Sequence, residues 1–304
     1  MAIRILVTDG CDASAMEQFR RDGYEVVEQF YEPDALGAAL RDYDAVIIRS
    51  ATKIRAPQIE AARGGRLKLV IRAGVGMDNI DIPCAEAAGI ACRNTPRASS
   101  NAVAELAVAL LFSCARNLSI AGHTMREEKW EKKVYSKGFE LRGKTAGIIG
   151  YGRIGRLTGE KCQALGMQVL STVHKNKPAG CECETMRFVS MEELLAGSDA
   201  VILCAPGGDK AIIDADAIAR MKDGAVVINV SRGKNVDEDA LLAALDSGKL
   251  RGAGLDVWLD EKHPNWKLAS HPLVSCTPHI GAGTKEAQKR IGAELVDIVE
   301  HFSF

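Results

Sequence analysis

Gly150-Tyr151-Gly152-Arg153-Ile154-Gly155 is the segment whose residue types and spacing imply chemistry most directly. It follows the apolar run Ala146–Ile149 and opens an amphipathic stretch. In that context the first glycine permits a tight strand-to-helix turn, the second lets a pyrophosphate approach backbone N–H groups, and the third lets helix and strand pack closely. The pattern predicts dinucleotide binding at Gly150, Gly152, Arg153, Ile154 and Gly155. A ribose-binding carboxylate is expected at the end of the next strand. That strand, Met167–Val173, instead runs into His174, Lys175, Asn176 and Lys177. A carboxylate there rejects a 2′-phosphate, whereas His174 and Lys175 can accept one. NAD and NADP both stand as expected cofactors, the basic residues tilting the reading toward NADP; a solvated lysine-rich loop is the plain alternative.

The elements that must position such a turn are legible in the patterning. Short β-branched runs alternate with amphipathic stretches along nearly the whole chain, the mark of βα units and a parallel sheet. Ile3–Val7, Tyr24–Val27, Ala45–Ile48 and Leu67–Ile71 read as strands of a first small domain, with a helix over Ser14–Arg21. A long helical pattern covers Ser99–Arg116, followed by a polar stretch over Arg126–Lys137. A second series then begins with strand Thr145–Ile149, helix Ile154–Leu165 and strand Val169–Val173. Further strands near Val201, Val226, Ala253 and Leu273 complete a sheet of five or six. The final helix, Ala287–Phe302, carries Ile291, Leu295, Ile298 and Phe302 on one face and is expected to return to the first domain. The fold class is α/β with two doubly wound parallel-sheet domains. A flavodoxin-like substrate domain spans 1–97 plus 282–304, a Rossmann cofactor domain spans 98–281, and a cleft lies between them.

Composition narrows the partners. The chain has 304 residues, 39 Lys plus Arg against 40 Asp plus Glu, and a net charge of -1, so no overall field gathers nucleic acid or an anionic membrane. Apolar residues at 47% and charged ones at 26% are those of a globular domain. Nine scattered cysteines read as buried reduced thiols, and the N-terminus shows no leader pattern, so a cytoplasmic location is expected. The close pair Cys181 and Cys183 reads as a surface loop rather than a metal site, and no metal is expected.

Several further segments agree in order. Arg72-Ala73-Gly74-Val75-Gly76-Met77-Asp78-Asn79, Asn94-Thr95-Pro96, Asn229-Val230-Ser231-Arg232-Gly233, Gly254-Leu255-Asp256-Val257 and Thr277-Pro278-His279-Ile280-Gly281 join the glycine turn. Together they resemble the D-isomer-specific 2-hydroxyacid dehydrogenases over essentially the full length. The resemblance implies catalytic roles for His279, Glu261 and Arg232. His279 would give a proton to the developing alkoxide in reduction and take it back in oxidation. Glu261 would favour the imidazolium and fix the ring, and Arg232 would offer a planar fork to the substrate. A departure clouds Glu261: the family usually places proline directly after it, whereas Lys262 and His263 intervene here, and Asp260 is the neighbour that could substitute.

The resemblance also implies cofactor contacts from Cys204, Ala205, Pro206, Val230, Ser231, Asp256 and Gly281, with Asp256 on the nicotinamide carboxamide. The loop Pro206-Gly207-Gly208-Asp209 is about two residues shorter than usual. Substrate contacts fall on Arg49, Ser50, Arg72, Gly74, Val75, Gly76, Asn101 and Lys132, the peptide groups near Val75 and Gly76 holding a carboxylate. Arg49 and Arg72 match the cations of family members that act on 3-phospho-D-glycerate and 3-phosphohydroxypyruvate, and two arginines suit a phosphate. Glyoxylate or hydroxypyruvate reduction is the alternative activity, and a cofactor-sensing corepressor-like binding protein is a more distant one. A small-molecule substrate and a homodimer through the cofactor domain are the implied partners, and His263 and His271 are expected at the surface.

Overall fold

Runs such as Ala45–Ile48, in which every side chain is apolar, are strands covered on both faces, and they demand helices on either side of the sheet. In the computed structural model, which describes residues 2–172 and 183–304, the chain divides into two compact α/β units. One comprises the residues up to Ser99 together with Ala282–Phe304, and the other is Ser100–Gly281.

The smaller unit has five parallel strands: β1 (Arg4–Val7), β2 (Glu25–Glu28), β3 (Ala45–Ile48), β4 (Leu69–Arg72) and β5 (Ala91–Asn94). Their spatial order is β2-β1-β3-β4-β5, which is that of flavodoxin-like sheets. The period of two divides the core cleanly. Ile5, Val7, Ile47, Leu69 and Ile71 face Met16 and Phe19 of helix Ala13–Arg21 and Ile291, Leu295 and Val299 of helix Lys285–Glu300. Leu6, Val46, Ile48 and Val70 face Leu36, Leu40 and Ile59 on the other side. The last helix thus completes the core of the unit in which the chain began. Strand β5 escapes prediction because its sequence, Ala-Cys-Arg-Asn, has no apolar run; it is an edge strand with no fully buried residue.

Among the described residues the larger unit has seven parallel strands, not the five or six expected: β6 (Thr145–Ile149), β7 (Gln168–Thr172), β8 (Met186–Val189), β9 (Ala200–Leu203), β10 (Ala225–Asn229), β11 (Leu250–Leu255) and β12 (Val274–Cys276). The additional strand, β8, is again an edge. The order β12-β11-β10-β9-β6-β7-β8 reverses its direction of growth between β6 and β9. Ligands of open α/β sheets bind beyond the carboxyl ends of the strands at such a switch point. The glycine turn leaves β6 at that place, and the corresponding switch in the smaller unit lies between β1 and β3.

Among the described residues no single helix is long and apolar enough to cross a membrane. Burial pushes the thiols of Cys114, Cys162 and Cys204 up to about 12, so these act as small apolar side chains. Cys276 departs from the expected burial and is exposed, and Cys183, read as part of a surface loop, is exposed as well. Cys181 lies outside the described residues, as do Val173, His174 and Lys175.

Candidate active site

The glycine turn has the stereochemistry that its spacing predicts. Gly150 has φ +97, and a Cβ there would stand 2.5 Å from the Ala205 nitrogen; a Cβ on Gly155 would stand 2.0 Å from the Gly150 carbonyl oxygen. Around Gly152, by contrast, there is nothing within 4 Å of an added Cβ. Helix Arg153–Ala164 starts here without a side-chain cap, which leaves its first N–H groups available to an anion. An open cradle over uncapped N–H groups fits the pyrophosphate of a nicotinamide dinucleotide. Cys204 and Ala205 border it: the Cys204 N–H donates to the Ile149 carbonyl at 2.8 Å, and Pro206 is exposed beside them.

A buried polar network connects that loop to Arg232. Asn229 is 1% exposed and its Oδ1 accepts from the Ser231 N–H at 3.1 Å and the Ser231 hydroxyl at 2.8 Å. Asn235 donates to Ser231 Oγ at 2.9 Å and to the Ala205 carbonyl at 3.1 Å. Asn229 also donates to the Arg232 carbonyl at 2.8 Å, and Arg232 Nη1 donates to the Ser231 carbonyl at 2.7 Å. Val230, between them, is buried. Asn235 is a part of this scaffold that sequence reasoning missed, because its burial and its bonds to Ser231 and Ala205 form only in the fold.

His279 and Glu261 come together. The Nδ1 of His279 lies 2.6 Å from Glu261 Oε1, and both side chains are roughly half exposed. A carboxylate can only accept, so Nδ1 carries the hydrogen and Nε2 is the nitrogen left for proton exchange with a ligand. Asp260, the alternative neighbour, is turned away: its carboxylate accepts from the Lys262 and His263 N–H groups and meets His263 Nδ1 at 3.1 Å. The bond from His263 holds the Asp260 carboxyl below its usual range. The inserted Lys262-His263 therefore occupies Asp260 and leaves Glu261 to His279. The loop is pinned by the Leu259 N–H on Glu238 Oε1 at 2.8 Å and by Gly233, where a Cβ would fall 1.9 Å from the Trp258 carbonyl oxygen.

His279 sits in the left-handed region at φ +54, a conformation uncommon outside glycine. Asp256 holds it there. This carboxylate is 1% exposed and accepts from the Thr277 hydroxyl at 2.6 Å, the Ile280 N–H at 2.8 Å and the Gly281 N–H at 2.9 Å, while the His279 N–H donates to the Asp256 carbonyl at 2.8 Å. A buried carboxylate so fully bonded builds the turn, a task additional to the cofactor contact that resemblance implies. Asp256→Ala strips the Ile280 and Gly281 N–H groups of their acceptor and is expected to cost about 2–4 kcal/mol. Urea denaturation measures it, and a change within about 0.5 kcal/mol would refute this role.

The remaining positions lie as follows. Asp9 accepts from the Arg49 N–H at 2.6 Å and the Thr52 N–H at 3.1 Å, and Asn79 donates to the Arg49 and Thr52 carbonyls, so the turn carrying Arg49 and the exposed Ser50 is fixed at the end of β3. Arg72 Nη1 donates to the Ala73 carbonyl at 2.7 Å and packs over Gly74, where a Cβ would lie 1.8 Å from it. Val75 is exposed and Gly76 half-buried. Asn101 is engaged within the larger unit, donating to Glu105 and accepting from Lys161. Lys132 is exposed on the short helix Lys132–Tyr135. His263 is exposed, but His271 departs from expectation: its side chain is 15% exposed, with Nε2 3.5 Å from Asp246.

Comparison with known proteins accords with this geometry. The hydroxypyruvate reductase of Thermotoga maritima is 41% identical over 301 residues, 97% of this chain and 96% of that one. The D-3-phosphoglycerate dehydrogenase of Archaeoglobus fulgidus is 38% identical over 299 residues, 97% of this chain but 56% of that longer one. The crystal structure of a glyoxylate reductase from Paecilomyes thermophila superposes with a TM-score of 0.89 at 29% identity, covering 98% of this chain and 94% of that one. Residues 108–281, which contain the glycine turn, the Arg232 scaffold and the His279–Glu261 pair, match the NAD binding domain of D-isomer specific 2-hydroxyacid dehydrogenases. An NAD-binding domain of that kind, in a chain that aligns along its length with these reductases and dehydrogenases, makes the protein a member of the D-isomer specific 2-hydroxyacid dehydrogenase family.

Proposed function

We propose that the protein interconverts 3-phospho-D-glycerate and 3-phosphohydroxypyruvate with NAD(H) or NADP(H). The His279–Glu261 contact at 2.6 Å carries the redox part of this reading. The nicotinamide, when bound, supplies or receives the hydride. In reduction, His279 Nε2 gives its proton to the oxygen of the former carbonyl, and Glu261 stabilises the cation that donates it. Arg232 polarises the oxo group before transfer, and the peptides of Val75 and Gly76 hold the carboxylate. Support for a phosphorylated substrate comes from Arg49, which the Asp9 and Asn79 bonds fix at the end of β3. The smaller unit is the substrate domain in this reading and the larger one the cofactor domain. Self-association belongs to it too, supported by exposed Trp130, Met125 and Val134 on the larger unit.

A second reading, reduction of hydroxypyruvate or glyoxylate, is favoured by the Thermotoga maritima relative, which matches this chain along nearly the whole of both lengths. Nicotinamide absorbance during reduction of 3-phosphohydroxypyruvate, hydroxypyruvate and glyoxylate, each with NADH and NADPH, separates the two. The phosphorylated acid is expected to give the highest kcat/KM. Arg49→Ala is expected to lower that value about tenfold or more through loss of a charge-assisted contact, with little change for glyoxylate. A higher kcat/KM for the unphosphorylated acids transfers the assignment to the second reading.

A further inference from the structure

A cavity of about 540 Å³, lined by Asp12, Arg49, Gly283, Thr284, Lys285, Gln288 and Lys289, opens within the smaller unit. Asp12 follows β1 and Arg49 follows β3, so the cavity sits beyond the carboxyl ends of the two strands between which the sheet order switches. Three cations meet there. None of Arg49, Lys285 and Lys289 is in an ion pair among the described residues. Lys285 and Lys289 are four residues apart on one helix, a spacing at which like charges repel. The acid lining the cavity, Asp12, is already bonded to Ser14 as the cap of helix Ala13–Arg21. Thr284 and Gln288 are engaged as well, Thr284 capping its own helix and Gln288 donating to the Ala282 carbonyl at 2.8 Å. A cavity at a switch point whose wall carries three cations against the single carboxylate of Asp12 is suited to a small dianion.

We propose that this cavity is a phosphate-binding site gripped by Arg49, Lys285 and Lys289, and that its occupant is the phosphate of the phosphorylated substrate. The inference rests on the proposed reading for its occupant but not for its existence. Arg72 is then freed from the phosphate role, since its guanidinium already braces the Ala73–Gly74 peptide. Of the two arginines that resemblance assigns to the phosphate, one stays and two lysines join it.

The test has a binding arm and a turnover arm. Titration calorimetry of the full chain with inorganic phosphate is expected to show saturable binding that Lys285→Met/Lys289→Met weakens about tenfold or more and that Lys285→Arg/Lys289→Arg retains. Both lysines are exposed, so the variants are expected to keep the parent Tm. In turnover, the methionine pair is expected to raise KM for 3-phosphohydroxypyruvate about tenfold relative to KM for hydroxypyruvate. Phosphate binding that depends on the lysines, without that selective change in KM, leaves the site standing with a free phosphorylated ligand as its occupant and overturns the substrate assignment. Preference for the phosphorylated acid that survives the double substitution, with no phosphate binding in calorimetry, overturns the site while the proposed function stands.

Discussion

Replacing His279 with asparagine lowers kcat for 2-oxo acid reduction by about 100-fold or more, the usual contribution of a positioned proton donor. Asparagine is the substitution of choice because it tolerates the left-handed backbone at φ +54 better than alanine, so the measurement reports chemistry rather than a collapsed turn. Cofactor affinity, read by NADH fluorescence titration, is expected to change less than about threefold, since the glycine cradle leaves β6 and the histidine follows β12. Glu261→Gln is expected to give a smaller loss, about tenfold, because the amide can still accept from Nδ1 but brings no charge to stabilise the imidazolium. Turnover that survives both substitutions removes this pair from the mechanism.

The second large effect separates two glycines that look alike in sequence. A Cβ on Gly155 would lie 2.0 Å from one backbone oxygen and 3.0 Å from its carbonyl carbon, so Gly155→Ala must displace the Gly150 peptide. The expected result is a stability loss of about 2–4 kcal/mol together with about a 100-fold weaker Kd for NADH. Gly152→Ala meets nothing within 4 Å. Its Tm is expected to match the parent, yet its methyl group would stand in the cradle and weaken NADH by about tenfold or more. Equal thermal stability for both variants, or unchanged NADH binding by Gly152→Ala, contradicts the assignment of one glycine to packing and the other to the ligand.

The fold was most readable where the core is most uniform. Ala45–Ile48 and Thr145–Ile149 have the same bounds in sequence and structure because a central parallel strand is apolar on both faces. Edge strands need only one covered face or none, and so Ala91–Asn94 and Met186–Val189 carried no comparable signal. In the candidate site, residue types pointed to the glycine turn, but hydrogen bonds between distant segments stayed hidden. The span from Asp256 to Gly281 closes only in three dimensions. The choice between Asp260 and Glu261 depended on where His263 turned, which no spacing rule encodes. His271 looked like any exposed histidine until Asp246 was found beside it.

The smaller unit is assembled from both ends of the chain, whereas Ser100–Gly281 is continuous. During synthesis the larger unit therefore has its whole sequence available before the smaller one does. The sheet of the smaller unit can form early, yet Ile291, Leu295 and Val299 reach its core only when helix Lys285–Glu300 has been made. The unit that leaves the ribosome first is the one that finishes last, with one face of its sheet covered only by helix Ala13–Arg21 in the interval. A stop codon between Gly281 and Lys285 would release a chain whose larger unit is complete and whose smaller unit exposes part of the face formed by Ile5, Ile47 and Ile71 to aggregation.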